Sequence, residues 1–527
     1  MSTEYANEVQ KDSILIVAEQ PWQTELAAIF ANRLRALRPD LRVEIAATDY
    51  FTFLHDIGRL EAIGVKFAIK IHSLQSLYHS WQSNCEPEIV PIQHSLSEWV
   101  SRRKPSRSLE VLEKTNQLIY GWERNYFYLP ISDNWKRKIL LDSIRWCEDI
   151  VANLKPRMIV SIERNTLCNS LFFEIAKSEG IEHVTYIVSR FGNRWIPHLN
   201  FGLGQDHPLS KESKLSNHLE LKVRDFQTAI PSNLMVSNQS YLYRAAAGNL
   251  QNIFSQKLIH KLPYIMGRDL ENGVSNIVRL TKQIVLRLWY RKTRYAFPVV
   301  RLEQNFFKLS LWEMKQVFYY HIRMLGIRIW GIHKPLSSPY FFWGLHSRPE
   351  DSTSVLGFGQ DEYELIKMTA ALLPDGTSLL VKEHPIMFGV RERNFYAKLR
   401  KIKNLVLVDS FSNTRDFVTH NSCLGVIGIS GTMLLECELA KKGAFAFGVP
   451  EFKSYLGSDG TSLTAFLNSQ LNSDSNISKT RTLNYANRVL ALSTENDVPY
   501  LHNLRDPSVE KMLGVWADTL IKGGLSG

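Results

Sequence analysis

The sequence predicts an α/β protein made of two doubly wound sheets with a helical insertion between them. Three observations carry that expectation. From Tyr340 to Phe447, short apolar runs such as Leu379-Leu380-Val381, Leu405-Val406-Leu407-Val408 and Leu424-Gly425-Val426-Ile427 alternate with longer amphipathic segments. This is the rhythm of parallel strands wrapped by helices. The same rhythm runs through the first ~200 residues, and in both halves polar motifs directly follow the apolar runs. Those are the carboxyl ends of strands, where open α/β sheets bind ligands.

In order, residues 13–18 form the first buried strand. A helix over about Thr24–Leu37 follows, with Leu26, Ile29, Phe30, Leu34 and Leu37 on one side. Pro39-Asp40 breaks it, Arg42–Ala46 is a second strand and Val65–Ile69 a third. Residues 96–150 read as mostly helical, with Pro105 and Pro130 as breaks. Met158–Ile162 is again a strand, the helix Leu167–Ser178 is closed by Gly180, and Val184–Val188 ends the first set. In the second half Tyr340–Leu345 and Ser378–Lys382 are strands. A helix is expected over Met433–Lys442, with Lys441-Lys442 at its end and Gly443 terminating it. Domain limits follow: 1–235, a basic helical stretch 236–335, a second doubly wound domain 336–480, and a helical segment 481–527.

The chain has 527 residues, too many for one ordinary core. Its 63 Lys and Arg against 52 Asp and Glu give +11, which suits an anionic partner. No aromatic-basic recognition module accompanies that charge, so nucleic acid is not the expected one. The cysteines, 5 in number, are scattered and form no CxxC pair, which argues against disulfides or a zinc site and for a reducing compartment. Neither a signal peptide nor a run of about 20 apolar residues is visible. The expected location is cytoplasmic, with peripheral contact on the inner membrane. That contact would fall to residues 277–294, where Arg279, Lys282, Arg287, Arg291 and Arg294 share a helical face opposite Ile277, Leu280, Ile284 and Leu288. The plainer reading of the same segment is a helical insertion packed on the body with a solvated basic face.

Candidate chemistry sits at the strand exits. His384 is held extended by Pro385 after Lys382-Glu383, and its imidazole suits a phosphate oxygen. Ser430-Gly431-Thr432 opens a helix whose free N–H groups suit an anion. Glu436 lies one turn beyond Thr432 and suits ribose hydroxyls. Each has a plainer structural role as well: strand cap, N-cap and salt-bridged helix residue. The first strand of the second half leads into the polar loop His346-Ser347-Arg348-Pro349-Glu350-Asp351-Ser352-Thr353. In the first half Glu163 ends a strand and suits a general base or the stabiliser of an oxocarbenium-like centre; Glu19 and Asp49 are its rivals. Arg190 and Arg194 follow Val184–Val188 and suit a carboxylate or phosphate on a substrate, or else pair with Glu163. No GxxxxGK[ST], HExxH, GxSxG or well-placed GxGxxG is present. No Asp-x-Asp follows a strand, so a metal-free site is expected and no cofactor.

The order His346-x-x-Pro349-Glu350-x-Ser352-Thr353, then Val381-Lys382-Glu383-His384-Pro385, then Ile429-Ser430-Gly431-Thr432 with Glu436, resembles the bacterial capsule polysaccharide synthesis family. These are GT-B glycosyltransferases with two Rossmann-like domains facing a cleft, related to the Kdo transferases of capsule assembly and more distantly to His-Pro sialyltransferases. The resemblance covers about 340–460 and is fainter over 158–194. It implies a metal-independent transferase using a CMP-linked acidic sugar such as Kdo, with a surface polysaccharide or lipid-linked glycan as acceptor. It implies that His384 with Pro385 contacts the donor phosphate, that Ser430, Gly431, Thr432, Glu436, Ser352 and Thr353 line the donor pocket, and that Arg190, Arg194, His346, Glu350 and Lys382 meet substrate. An acidic residue of the first domain, Glu163, would act on the acceptor. The Asp-Asp-Gly or Glu-Asp-Gly triplet of the sialyltransferases is absent. The alternatives are a teichoic-acid-type glycerol or ribitol phosphotransferase, a non-hydrolysing sugar-nucleotide epimerase, and a non-catalytic polysaccharide export or scaffold protein.

Overall fold

The computed structural model describes residues 12–19, 21–48, 54–77, 87–115, 132–164, 166–188, 195–199, 318–319, 322–323, 325–346, 356–384, 387, 391, 394–439, 442–450, 452–472 and 507–523. They form two sheets. The first contains β1 (Ser13–Ala18), β2 (Arg42–Ala47), β3 (Ile71–Ser73), β4 (Met158–Ile162), β5 (Glu182–Val188) and β6 (Trp195–Leu199) in the order β3-β2-β1-β4-β5-β6. All its pairings are parallel except β5 with β6. The second contains β7 (Tyr340–Gly344), β8 (Ser378–Lys382), β9 (Leu405–Val408), β10 (Cys423–Gly428) and β11 (Gly443–Ala446), all parallel, in the order β11-β10-β7-β8-β9. Two Rossmann-like sheets in one α/β chain are the architecture expected from the sequence.

Strand alternation sorts the core into layers. On the first sheet Leu15, Val17 and Ile159 face the helices Ile89–Arg103, Asp133–Leu154 and Leu167–Glu179. Ile14, Ile16, Met158 and Val160 face the helix Pro21–Leu37 on the other side. The last described helix, Pro507–Gly523, joins that second layer through Val509, Met512, Leu513, Trp516 and Ala517. Trp516 stacks on Tyr186 at 3.8 Å and meets Phe30 and Trp195 edge-on. The second sheet is likewise covered on both faces. Phe341, Trp343 and Val381 pack against Ile366 and Phe395, while Tyr340, Phe342 and Leu380 pack against Phe417 and Leu434.

Several boundaries differ from the sequence reading. Val65 is strongly exposed and belongs to the helix Leu54–Phe67, so the third strand is Ile71–Ser73, not Val65–Ile69. Leu37 is exposed at the helix end rather than part of its apolar face. β6 was not foreseen; it is an edge strand, where Pro197 has no ladder N–H to supply. The helix after Thr432 is described over Met433–Leu439. Lys442 instead turns back, its Nζ donating to the carbonyls of His420 and Cys423, and Gly443 begins β11. Gly425 and Gly443 lie opposite one another there, and a Cβ on Gly425 would stand 2.6 Å from the Gly443 carbonyl oxygen. Ile332, a little before the expected 336 boundary, already bridges to Val408 beside β9. Among the described residues no helix is long and apolar enough to cross a membrane. The basic segment 277–294 lies outside them.

Candidate functional site

Each sheet has one point where the chain's direction of travel reverses. In the second sheet the chain leaves β7 towards β8 and leaves β10 towards β11, on opposite sides, although β7 and β10 are neighbours. The crevice of such a sheet opens outside the carboxyl ends of that pair. His346 lies just beyond β7, and Ser430-Gly431-Thr432 lies just beyond β10. They meet. The Ser430 backbone N–H donates to His346 Nε2 at 3.5 Å, a long bond. A Cβ on Gly431 would fall 3.0 Å from His346 Cε1, so the imidazole lies against the glycine turn. With Nε2 accepting, the neutral ring carries its proton on Nδ1. Ser430 is buried, and Gly431 and Thr432 are half-buried.

His384 leaves β8, the strand on the other side of β7. It therefore shares the carboxyl edge with Ser430, two strand intervals away, or roughly 10 Å. Its backbone N–H donates to Glu383 Oε1 at 2.7 Å, and its carbonyl accepts from the Met387 N–H. Lys382, expected to meet substrate, is buried. Its ammonium donates to the Ser412 carbonyl at 2.7 Å and to Thr414 Oγ1 at 2.6 Å, tying down the loop after β9. Glu436 is half-buried, and burial lifts its carboxyl from 4.5 to about 7 against the opposing pull of Arg415 and Lys382. Near neutral pH it is poised between donor and acceptor.

Behind these residues is a charged network that the motifs did not reveal. Arg391 donates through Nε and Nη2 to the two carboxylate oxygens of Glu383, at 2.8 and 2.9 Å. It also donates through Nη1 to Glu362 Oε2 at 3.0 Å, and through Nη2 to the His346 carbonyl at 2.7 Å. Glu362 Oε1 accepts the His346 N–H at 3.0 Å, and Glu383 Oε2 accepts the Tyr396 hydroxyl at 2.7 Å. Burial disfavours the guanidinium charge, but the two carboxylates overcome that and hold Arg391 above its ordinary range. Burial first, then the Glu383 charge, pushes the Tyr396 phenol well above its usual range.

In the first sheet the reversal falls between β1 and β4, whose exits carry Glu19 and Glu163. The two carboxylates differ in setting. Glu19 is buried; its Oε1 accepts the Thr166 N–H at 3.2 Å and Asn169 Nδ2 at 2.9 Å. Glu163 is half-buried with φ +66°, a left-handed backbone unusual for a residue with a Cβ. Two bonds hold it there: its N–H donates to the Tyr186 carbonyl at 2.8 Å, and its carbonyl accepts from Asn169 Nδ2 at 2.9 Å. Asn169 thus joins the Glu19 carboxylate to the Glu163 backbone. Thr166 caps the Leu167–Glu179 helix, accepting from the Asn169 N–H. Backbone strain at a strand exit is a feature of functional sites rather than of cores. Pro385, Ser352, Thr353, Glu350, Arg190, Arg194 and Asp49 lie outside the described residues.

No protein-family model matches the chain, and no curated protein sequence matches it. Among solved structures, it is similar to a UDP-GlcNAc 2-epimerase from Neisseria meningitidis bound to UDP-GlcNAc. That match has 12% identity over 97% of this chain and 100% of the other, with a TM-score of 0.26. It is also similar to the calicheamicin glycosyltransferase CalG4, at 8% identity over 98% and 100% of the two chains, with a TM-score of 0.26. The spinosyn rhamnosyltransferase SpnG complexed with thymidine diphosphate matches at 9% identity over 92% and 97%, with a TM-score of 0.27.

Proposed function

We propose that the protein is a glycosyltransferase that moves a sugar from a nucleotide-activated donor, a CMP-linked acidic sugar such as Kdo, to a surface polysaccharide or lipid-linked acceptor. The observation that carries the reading is the crevice at the β7–β10 reversal, where His346 lies on the Ser430-Gly431 turn and His384 leaves the adjoining strand. Two imidazoles and a glycine turn with close backbone access suit a nucleotide phosphate. Glu436 suits the ribose hydroxyls. Pro385, Ser352 and Thr353 belong to the donor side of this reading, and Glu350, Arg190 and Arg194 to the substrate side, whereas buried Lys382 supports the loop after β9 instead. In this division, residues 336–480 hold the donor, 1–235 the acceptor, 236–335 the basic surface, and 481–527 brace the molecule. Contact of 277–294 with anionic lipid on the cytoplasmic face of the inner membrane belongs to the same proposal.

Chemically, Glu163 takes the proton of the acceptor hydroxyl, whose oxygen bonds to the anomeric carbon as the bond to the CMP phosphate breaks. The charge released onto that phosphate is met by His384 and by the Gly431 and Thr432 N–H groups, the Ser430 N–H being engaged by His346. The test is thermal stabilisation by CMP, CDP and UDP, followed by sugar transfer from CMP-sugars to a lipid-linked acceptor. The expected result is stabilisation by CMP that disappears in His384→Ala. Preference for CDP with phosphoryl-alcohol transfer, or for UDP without an acceptor, would replace the reading. Silence to every nucleotide would leave only the scaffold.

A further inference from the structure

We infer that Arg391 is the positioning residue of the crevice, holding the two histidine-bearing loops in a single register. The inference deepens the transferase reading and rests on it for the identity of the ligand. Every bond of the buried guanidinium ends on the two loops or on the carboxylates that anchor them. It takes the His346 carbonyl directly, at 2.7 Å. Glu362, to which it is paired, takes the His346 N–H. Both peptide groups of His346 are therefore fixed through one cation. Glu383, held by two parallel bonds from the same guanidinium, takes the His384 N–H. The loop after β7 and the loop after β8 are thus tied through one side chain, although they belong to different strands.

A planar cation with several donors at fixed angles can meet two carboxylates and a carbonyl at once; a lysine ammonium at the end of a flexible stem cannot. The arrangement also explains the Glu of Lys382-Glu383-His384-Pro385. Its carboxylate points back into the network rather than towards the ligand, so the crevice keeps its imidazoles without presenting that negative charge to a phosphate. The Tyr396 hydroxyl gives Glu383 a fourth hydrogen bond, after two from Arg391 and one from the His384 N–H. A misplacement of about 1 Å in a reacting group costs on the order of a hundredfold in rate, so loosening this anchor should lower turnover beyond any loss of folded protein.

The test compares wild type with Arg391→Lys and Arg391→Met. Imidazole nitrogen spectra of the ligand-free protein are assigned by His346→Gln and His384→Gln. Buried His183, which bonds to Ser161 in the first sheet, reports that the fold is intact. In the folded variants the His346 and His384 signals should both shift, with His346 losing its Nδ1-protonated signature, while His183 stays fixed. CMP affinity should fall at least severalfold. Unmoved His346 and His384 signals in either folded variant would overturn the inference. If neither Arg391 variant folds, Tyr396→Phe decides: loss of its bond to Glu383 should pass through Arg391 and move His346 as well as His384, and an unmoved His346 would refute the coupling. Failure of wild type to bind CMP would refute the donor assignment instead, because the ring signals are read without ligand.

Discussion

Glu436 makes opposite demands on stability and on binding, and the two can be measured separately. Burial raises its folded pKa from 4.5 to about 7, whereas in the unfolded chain the carboxyl returns to its ordinary value. Between those limits the folded protein binds more protons than the unfolded one. Stability therefore falls as pH rises through the window and settles at its lower level above about 7. The rise corresponds to roughly 3 kcal/mol, an order-of-magnitude figure. In Glu436→Gln the amide cannot ionise, so the variant should gain on wild type by roughly that amount between about pH 5 and about pH 8. Urea unfolding of both proteins across this range is the assay. Ribose hydroxyls donating to the carboxylate favour its ionised form, so CMP affinity in wild type should climb through the same window, and the climb should vanish in the variant. Unfolding free energies that stay parallel from low to high pH would refute the burial argument. A pH-independent CMP affinity would refute the ribose contact.

Two further outcomes follow from packing. Gly431→Ala puts a Cβ 3.0 Å from His346 Cε1, so the imidazole must yield; CMP binding should weaken severalfold with little change in melting temperature, and unchanged binding would show that the ring position is immaterial. Trp516→Ala removes the ring that stacks on Tyr186 and meets Phe30. It should cost about 3–5 kcal/mol in urea unfolding, and a loss under about 1 kcal/mol would show that the Pro507–Gly523 helix is not docked on the first sheet.

The strands that could be read from sequence are those buried on both faces. β1, β4 and β8 are continuous apolar runs with few other interpretations; β9, a half-buried edge strand, was legible from its run Leu405-Val406-Leu407-Val408 alone. Val65–Ile69 misled because its β-branched and aromatic residues fit a strand by type, while their burial, which decides the matter, does not show in the sequence. Val65 points to solvent and Ile63 to the core, the spacing of a helix that reached further than expected. β6 escaped because an edge strand needs only half of its hydrogen bonds, which lets it carry Pro197. The Met433–Lys442 helix was drawn too long because lysines at a helix end are the usual signal. Here the Lys442 ammonium closes instead on the carbonyls of His420 and Cys423, at the start of β10.

The site was legible to the extent that it lies within a few residues of strand exits. His346, His384, Ser430 and Glu163 could be found because the alternation of apolar runs locates those exits. Which exits are neighbours is a matter of strand order, and no local pattern encodes it. His346 shows the difference. In sequence it is one polar residue among several in a long loop; in the fold it meets Gly431 because β7 and β10 pair. Glu362 and Arg391 were invisible for a related reason. Glu362 opens a helix and would be read as favouring the helix dipole, and Arg391 opens the charged run Arg391-Glu392-Arg393 as a solvated basic residue would. Their meeting depends on two loops returning to the same corner. Once there, one guanidinium serves two carboxylates, so replacing Glu362 leaves Arg391 Nη1 and the His346 N–H without their acceptor and lets the guanidinium shift on Glu383. Substituting Glu362 should therefore disturb His384 as well as His346, the loop that Glu362 touches and the one that it does not.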